Sequence, residues 1–235
     1  MLELLCKMLR QESRSKKVNL WITREESLNA LKSKLSIEAH YIEKGFTIID
    51  TLLRIFEDNK NDNFCIVCSF TLLKGKNFCF SIYSLSLDGL AQEAGALLRP
   101  AIECFELLDY FYADPKRIQE ALENRLPPAG NRAKKINSKF ESLRKHLNIA
   151  ASHFSFDPAS CTHLINWKKG SMHYYQEYNE NDLRKNLWTL FSIMVILINS
   201  TVRCLTFKEL FDIELDKEIE EWKESGFKLA KEKIL

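Results

Sequence analysis

Apolar residues recur at helical spacing along almost the whole chain, and residues that form turns are scarce. The 235 residues include seven glycines and five prolines, about half the usual share of a globular protein. An all-β fold needs a turn every ~8–12 residues, so this composition argues against it. With 46% apolar residues, the chain also lies outside the disordered and collagen-like classes. We predict an all-α, single-domain bundle of six to seven helices over residues 1–235, with a peripheral helix within residues 1–20.

Local signals place the predicted helices along the chain. Thr23 and Glu26 have the spacing of a capping box, which predicts a first long helix reaching about Phe56. Asp114 followed by Pro115 is typical of a helix start, because proline fits the first helical position. An aromatic segment over about residues 155–181 breaks the helical pattern and predicts a β-hairpin or an irregular insert. The other helices are predicted at about 63–85, 90–112, 131–152, 181–205 and 216–233.

Charge and cysteine content exclude some classes of partner. The formal net charge of +2 offers no basic surface of the kind that duplex DNA requires. Seven cysteines are an odd number, and most lie in apolar runs, which favours reduced thiols and a cytoplasmic protein. Cys65 and Cys68 form a C-x-x-C pair with no second pair or histidine at ligand spacing nearby. We therefore predict buried thiols and no metal site.

The sequence has no signal of a membrane-spanning helix and none of several well-known active-site motifs. The longest apolar run, Leu187–Ile198, is shorter than the ~20 residues of a membrane-spanning helix, so we expect a core helix and no membrane partner. The chain has no glycine-rich phosphate loop, no H-E-x-x-H and no G-x-S-x-G motif. We therefore expect no cofactor.

One polar stripe runs along the third long predicted helix, whose surface is otherwise apolar. If the stripe faces water, Arg99 and Glu103 form a surface ion pair at i,i+4. If it faces an internal cleft, Arg99 can hold a carboxylate or phosphate, which Glu103 orients. The polar residues within about 40° of Arg99 on the helical wheel are Asp88, Gln92, Glu103 and Glu106.

A second candidate site lies at the end of the helix predicted over residues 131–152. His153 stands where the helix dipole favours the imidazolium form, and Asn148 and Ser152 lie close by in sequence. With Arg144 as a basic partner, these residues can position a phosphodiester or another anion. The alternative is that Ser152 and His153 bond the free carbonyl groups at the helix end.

Two motifs resemble a family of uncharacterised bacterial helical proteins. The chain has L-x-R-x-x-x-E at Leu97–Glu103 and A-S-H at Ala151–His153, and the resemblance spans about residues 84–199. It implies a helical bundle and carries over to Arg99, Glu103 and His153. That family is distantly similar to the HEPN bundles, many of which are RNases or nucleotide-binding modules of defence and toxin systems. HEPN catalysis uses an R-x4–6-H motif, whereas eight residues separate Arg144 from His153 here.

Three functions are expected from these observations, and they leave open whether the protein is an enzyme. The first is binding of an anionic small molecule or partner in a cleft lined by Arg99, Glu103 and His153, with Asn148 and Ser152 as further ligand-binding residues. The second is an RNA-directed phosphodiesterase in which His153 is the general acid or base, and Arg99 or Arg144 stabilises the phosphorane. The third is a homodimer formed through the apolar faces of the terminal helices.

Overall fold

The protein is all-α, as the apolar spacing predicts. A computed structural model describes residues 21–147, 161, 164–166, 171–172 and 177–234. The helices in chain order are α1 (Ile22–Leu31), α2 (Ser36–Asp58), α3 (Asn63–Leu87), α4 (Ala91–Ala113), a 3₁₀ turn (Pro115–Arg117), α5 (Ile118–Leu122), α6 (Ala129–Lys135), α7 (Glu141–Leu147), α8 (Glu180–Phe207) and α9 (Ile213–Ile234). Inside the predicted insert, two short strands, β1 (Ile165–Asn166) and β2 (Ser171–Met172), pair antiparallel.

The described residues contain nine α-helices, more than the six to seven predicted, because two predicted helices are interrupted. The first breaks at residues 32–35, where Leu35 turns into the core and is fully buried. The helix predicted over 131–152 breaks where Asn137 adopts a left-handed φ of 51°, which a continuous right-handed helix does not contain. Its last predicted residues, 148–152, lie outside the described part of the chain.

Capping side chains begin several helices. Asp62 accepts hydrogen bonds from the backbone N–H groups of Phe64 (2.7 Å) and Cys65 (3.3 Å), and α3 begins there. The predicted start at Asp114 is confirmed, because its carboxylate accepts from the backbone N–H of Lys116 at 3.2 Å. The predicted cap at Thr23 is wrong: α1 begins at Ile22, with Trp21 at the N-cap position, so Thr23 lies inside the helix.

The helices α3, α4 and α8 pack against one another at the centre, and α2 packs on α3 and α8. The apolar run Leu187–Ile198 belongs to α8, and most of its side chains are buried. Among the described helices, α3 and α8 are long and apolar enough to cross a membrane, by length and composition alone. In the most apolar stretch of 18 residues, 44% of α3 and 61% of α8 is buried within the protein.

The C-terminal helix α9 buries its apolar face inside the same chain. Ile219 and Trp222 are 1% and 5% exposed, and the Trp222 indole N–H donates to the backbone carbonyl of Tyr41 at 3.1 Å. The helix lies close to α8, where the Phe191 ring packs over Gly226. These contacts use apolar residues that were expected to form a dimer interface.

Candidate functional site

A cleft of about 560 Å³ lies between α4, the α6–α7 loop, α8 and α9. This volume falls within the usual range of small-molecule sites. Its polar lining comes from all four of these elements, and its apolar lining comes from the α6–α7 loop and α8. The lining residues are Glu106, Asp109, Asn137, Ser138, Lys139, Asn199, Arg203, Glu220 and Lys223, with Ile136, Phe140, Ile196 and Val202 as the apolar wall.

Glu106 is the most deeply buried carboxylate of the cleft. Its Oε2 accepts a hydrogen bond from Arg144 Nη1 at 2.9 Å, and the side chains are 4% and 13% exposed. The Ser138 hydroxyl donates to Oε1 of the same carboxylate and also accepts from the backbone N–H of Phe140 at 3.2 Å. The loop that follows α6 therefore closes over Glu106 and is held there by Ser138.

Burial raises the pKa of Glu106 above its ordinary value, although Ser138 and Arg144 act in the opposite direction. The charge of Glu103, one turn earlier on α4, adds to the increase in this pKa. The neutral form of Glu106 is thus favoured relative to an exposed glutamate. A carboxyl group of this kind at the wall of a cleft is a common feature of functional sites.

Asp109 and Arg203 form the second ion pair of the cleft. Arg203 Nη2 donates to Asp109 Oδ1 at 2.5 Å and to Ser200 Oγ at 3.1 Å, while the guanidinium carbon lies 5.9 Å from the centroid of the Tyr112 ring. Burial raises the pKa of Asp109, and Arg203 only partly opposes this. Because the Arg203 side chain is 49% exposed, its guanidinium remains accessible from the cleft.

Three polar side chains of the cleft have no partner within the described part of the protein. Lys139, exposed on the α6–α7 loop, forms no ion pair there, and the side-chain amides of Asn137 on the same loop and Asn199 on α8 make no hydrogen bond. In contrast, Lys223 of α9 is bonded to Glu220 at 2.5 Å. Besides Arg203, the cleft therefore presents one unpaired ammonium group and two amides without a partner among the described residues.

The polar stripe predicted on α4 does not lie in a single environment. Asp88, just before the helix, is held by Arg24 of α1 through two contacts of 2.6 Å. Arg99 and Glu103 form the i,i+4 ion pair at 3.2 Å, with side chains 38% and 29% exposed. Glu106, at the other end, is buried beneath the α6–α7 loop. Only this last residue of the stripe lines the cleft.

The cleft predicted from Arg99, Glu103 and His153 is not assembled by the described residues, because Asn148, Ser152 and His153 all lie outside them. Arg144, predicted as a catalytic partner of His153, is bonded to Glu106, and its pairing with His153 stays a prediction.

Sequence reasoning missed several residues of the cleft. Asp109 lies about 80° from Arg99 on the helical wheel, so the stripe did not include it. Arg203 did leave a signal, since it is the only charged residue between Lys185 and Lys208 in an apolar helix. A lone charge of this kind needs a buried or half-buried partner. Nothing local identified Asp109, 94 residues away, as that partner.

The cysteine pair of the C-x-x-C motif is buried, as predicted. Cys65 and Cys68 are fully buried on α3, and their pKa values are raised, mainly by burial for Cys65 and by a hydrogen bond with Cys204 for Cys68. In the described residues, no three histidine, cysteine, aspartate or glutamate side chains are grouped as metal ligands. The thiols thus belong to the core between α3 and α8.

Comparison with known proteins finds no relative of this chain. No protein-family model matches the chain, and neither a curated protein nor a solved structure is significantly similar to it.

Proposed function

We propose that the protein binds a small organic anion, a carboxylate or phosphate monoester with an apolar portion, in the cleft between α4, the α6–α7 loop and α8. The observation that carries this proposal is the set of unused donors that line the cleft. Lys139 and Asn199 have no partner in the described structure, and the half-exposed Arg203 guanidinium lies on the same cleft. Charge-assisted hydrogen bonds from such groups are the strong contacts of anion sites.

The charge balance of the cleft favours an anion. The lining holds three carboxylates and three cations, and each carboxylate already has a cation: Asp109 and Glu220 have Arg203 and Lys223, and Glu106 has Arg144, which is not itself a lining residue. Lys139 is therefore the one cation of the lining without a carboxylate partner among the described residues. An uncompensated cation beside a partly apolar wall attracts a negative ligand more strongly than it would in bulk water.

The apolar wall selects the rest of the ligand. Phe140 and Ile136 come from the α6–α7 loop, and Ile196 and Val202 come from α8. A ligand of suitable size places its charged end at Lys139 and Arg203 and its apolar end against this wall. This ligand belongs to the class expected from the sequence, an anionic small molecule. The proposed site lies one to two turns further along α4 than the Arg99–Glu103 pair.

A matched pair of six-carbon probes tests the proposal. Hexanoate and hexylammonium each have six carbons in an unbranched chain and carry opposite charges, so only hexanoate is expected to raise the melting temperature and give a saturable calorimetric titration. Lys139→Met and Arg203→Met each remove one charge-assisted contact and are expected to weaken hexanoate binding about 10- to 100-fold.

Matched controls are available on the exposed surface. Lys185 and Arg54 are exposed and do not line the cleft, so Lys185→Met and Arg54→Met are expected to leave the affinity for hexanoate unchanged. Equal binding of both probes, or full hexanoate affinity in Lys139→Met and Arg203→Met, would show that the cleft is not an anion site.

A further inference from the structure

The outer face of α3 exposes large apolar side chains that the rest of the described chain covers only in part. Phe70, Leu73 and Phe80 are 67%, 42% and 61% exposed, and Asn77 lies between them on the same face. We call these four residues the α3 stripe. The helices that pack on α3 contact its opposite side, where Cys68, Leu72 and Cys79 are fully buried. A helix that is apolar on all sides is normally covered on all sides.

We propose that the α3 stripe is the interface of a homodimer, in which α3 packs antiparallel against α3 of a second copy around a two-fold axis near Gly75. This interface is independent of the cleft and of its ligand. It differs from a dimer through the terminal helices, because Ile219 and Trp222 of α9 are already buried within one chain.

The spacing of the stripe fits a two-fold axis. At 1.5 Å per residue, Phe70 and Phe80 lie about 7.5 Å on either side of Gly75 along the helix, and Leu73 and Asn77 lie about 3 Å on either side. The axis therefore brings Phe70 of one copy to the level of Phe80 of the other. A two-fold interface requires a patch that is complementary to itself in this way.

The directions of the two rings also fit this packing. At 100° per residue, Phe70 and Phe80 point about 40° to opposite sides of the midline of the stripe. At each level of the dimer, a Phe70 ring and a Phe80 ring then stand side by side rather than head on. Antiparallel packing also opposes the two helix dipoles.

Charge does not oppose the contact. The stripe itself holds no charged residue; beside it, Lys76 is paired with Asp50 of α2. Lys74 lies at the edge, with its ammonium group 4.9 Å from the centroid of the Phe78 ring. This position leaves Lys74 at the polar rim that surrounds the apolar centre of most interfaces.

The stripe supplies about two thirds of the apolar area that a standard dimer interface needs. Its three apolar side chains expose roughly 300 Å². A standard interface covers about 800 Å² on each partner, of which somewhat more than half is apolar. The half-buried Phe46, whose ring contacts Phe80 at 6.2 Å, and Ile66 extend the apolar area on either side.

Sedimentation of the whole chain tests the proposal. The wild type is expected to sediment as a dimer at micromolar concentration. Phe70→Glu and Phe80→Glu bring carboxylates into the apolar centre and are expected to raise the dimer dissociation constant at least about 100-fold, giving 27.5 kDa monomers with unchanged helical circular dichroism. Ile213→Glu, at a 70% exposed site on α9, is expected to leave the dimer intact.

Disulfide trapping tests the antiparallel arrangement in a Cys6→Ser background, where the described native thiols are all buried. Asn77→Cys lies near the axis and is expected to cross-link to itself. Ile66→Cys lies on the same face about 13 Å from the axis, so its two copies are about 27 Å apart and are expected not to cross-link.

Three results would overturn the proposal. The first is a wild type that stays monomeric at 100 micromolar, including a monomer that instead binds phospholipid vesicles through the stripe. The second is a dimer that survives Phe70→Glu and Phe80→Glu. The third is cross-linking of Ile66→Cys as readily as Asn77→Cys, which only a parallel arrangement allows.

Discussion

Glu106 and Arg144 show what a single buried charge requires of its surroundings. The carboxylate of Glu106 is 4% exposed, and burial raises its pKa even though Arg144 and Ser138 stabilise the ionised form. The loss of hydration thus exceeds the gain from the pairing, as is common for buried ion pairs. The two partners of this ion pair therefore differ. The Glu106 carboxylate is almost without water and needs the charge of Arg144, whereas the Arg144 side chain is 13% exposed and keeps some hydration of its own.

We expect Arg144→Met to lower the free energy of unfolding by about 3–5 kcal/mol, because it leaves a buried carboxylate without a cation. Glu106→Gln is expected to cost no more than about 2 kcal/mol, since the neutral amide can still bond to Ser138 and needs less solvation. The measurement is urea unfolding followed by circular dichroism, with the double variant closing the thermodynamic cycle.

Lys145→Met is the matched control on the same helix, because the Lys145–Glu141 pair is exposed, with side chains 72% and 59% accessible. No measurable change is expected there. If Arg144→Met were as harmless as Lys145→Met, the Glu106 carboxylate would not depend on its arginine.

At the scale of the helix, close approach between α8 and α9 depends on a residue without a side chain. Gly226 of α9 lies directly beneath the Phe191 ring of α8, and an added Cβ would overlap the ring edge. Phe191 is fully buried and also packs against Trp222, with ring centroids 4.8 Å apart. The ring has no free space into which it can move.

Gly226→Ala is expected to destabilise the protein by about 1–3 kcal/mol, because overpacking of the Phe191 site exceeds the helix propensity that alanine adds. Gly130→Ala in α6 is the matched control, since nothing lies within 4 Å of the added Cβ. Here alanine is expected to stabilise the protein by about 0.4–1 kcal/mol. Thermal unfolding of both variants checks the opposite signs, and equal signs would contradict the packing of α9 on α8.

At the scale of the whole molecule, the central helices place their thiols in one continuous core. Cys65, Cys68 and Cys204 are fully buried between α3 and α8. Burial raises the pKa of Cys79 to about 12 and is the main cause of the similar increase, to about 12, for Cys104. The reactive thiolate form is therefore rare in the folded state, and a reagent reaches these groups only when the core opens.

In a Cys6→Ser background, we expect dithionitrobenzoate to label the five thiols of α3, α4 and α8 only at the rate of global unfolding. The labelling rate should rise with urea in parallel with the unfolding equilibrium. Lys60→Cys, at an exposed position in the loop after α2, provides an added thiol that should react within seconds. Fast native labelling of any of the five would show that α3, α4 and α8 do not form one cooperative core.

The sequence by itself determined the helical class and the approximate bounds of the central helices. The bounds predicted for α3 and α4 agree with the structure within about two residues. The reason is that hydrogen bonds within a helix, apolar periodicity and capping residues such as Asp114 are local properties of the chain. The buried state of Cys65 and Cys68 was also predictable, because their neighbours in sequence are bulky and apolar.

Only the tertiary structure decided what each face of a helix meets. The break at Asn137 allows the loop to close over Glu106, and the pairing of Asp109 with Arg203 joins residues 94 positions apart. Local spacing cannot distinguish a polar stripe that faces water from one that another element covers. Asp88, Arg99 and Glu106 lie on one stripe, yet Asp88 is held by α1, Arg99 is partly exposed and Glu106 is buried beneath a loop. The cleft and the α3 stripe therefore follow from packing over long sequence distances, which the periodicity of one helix does not encode.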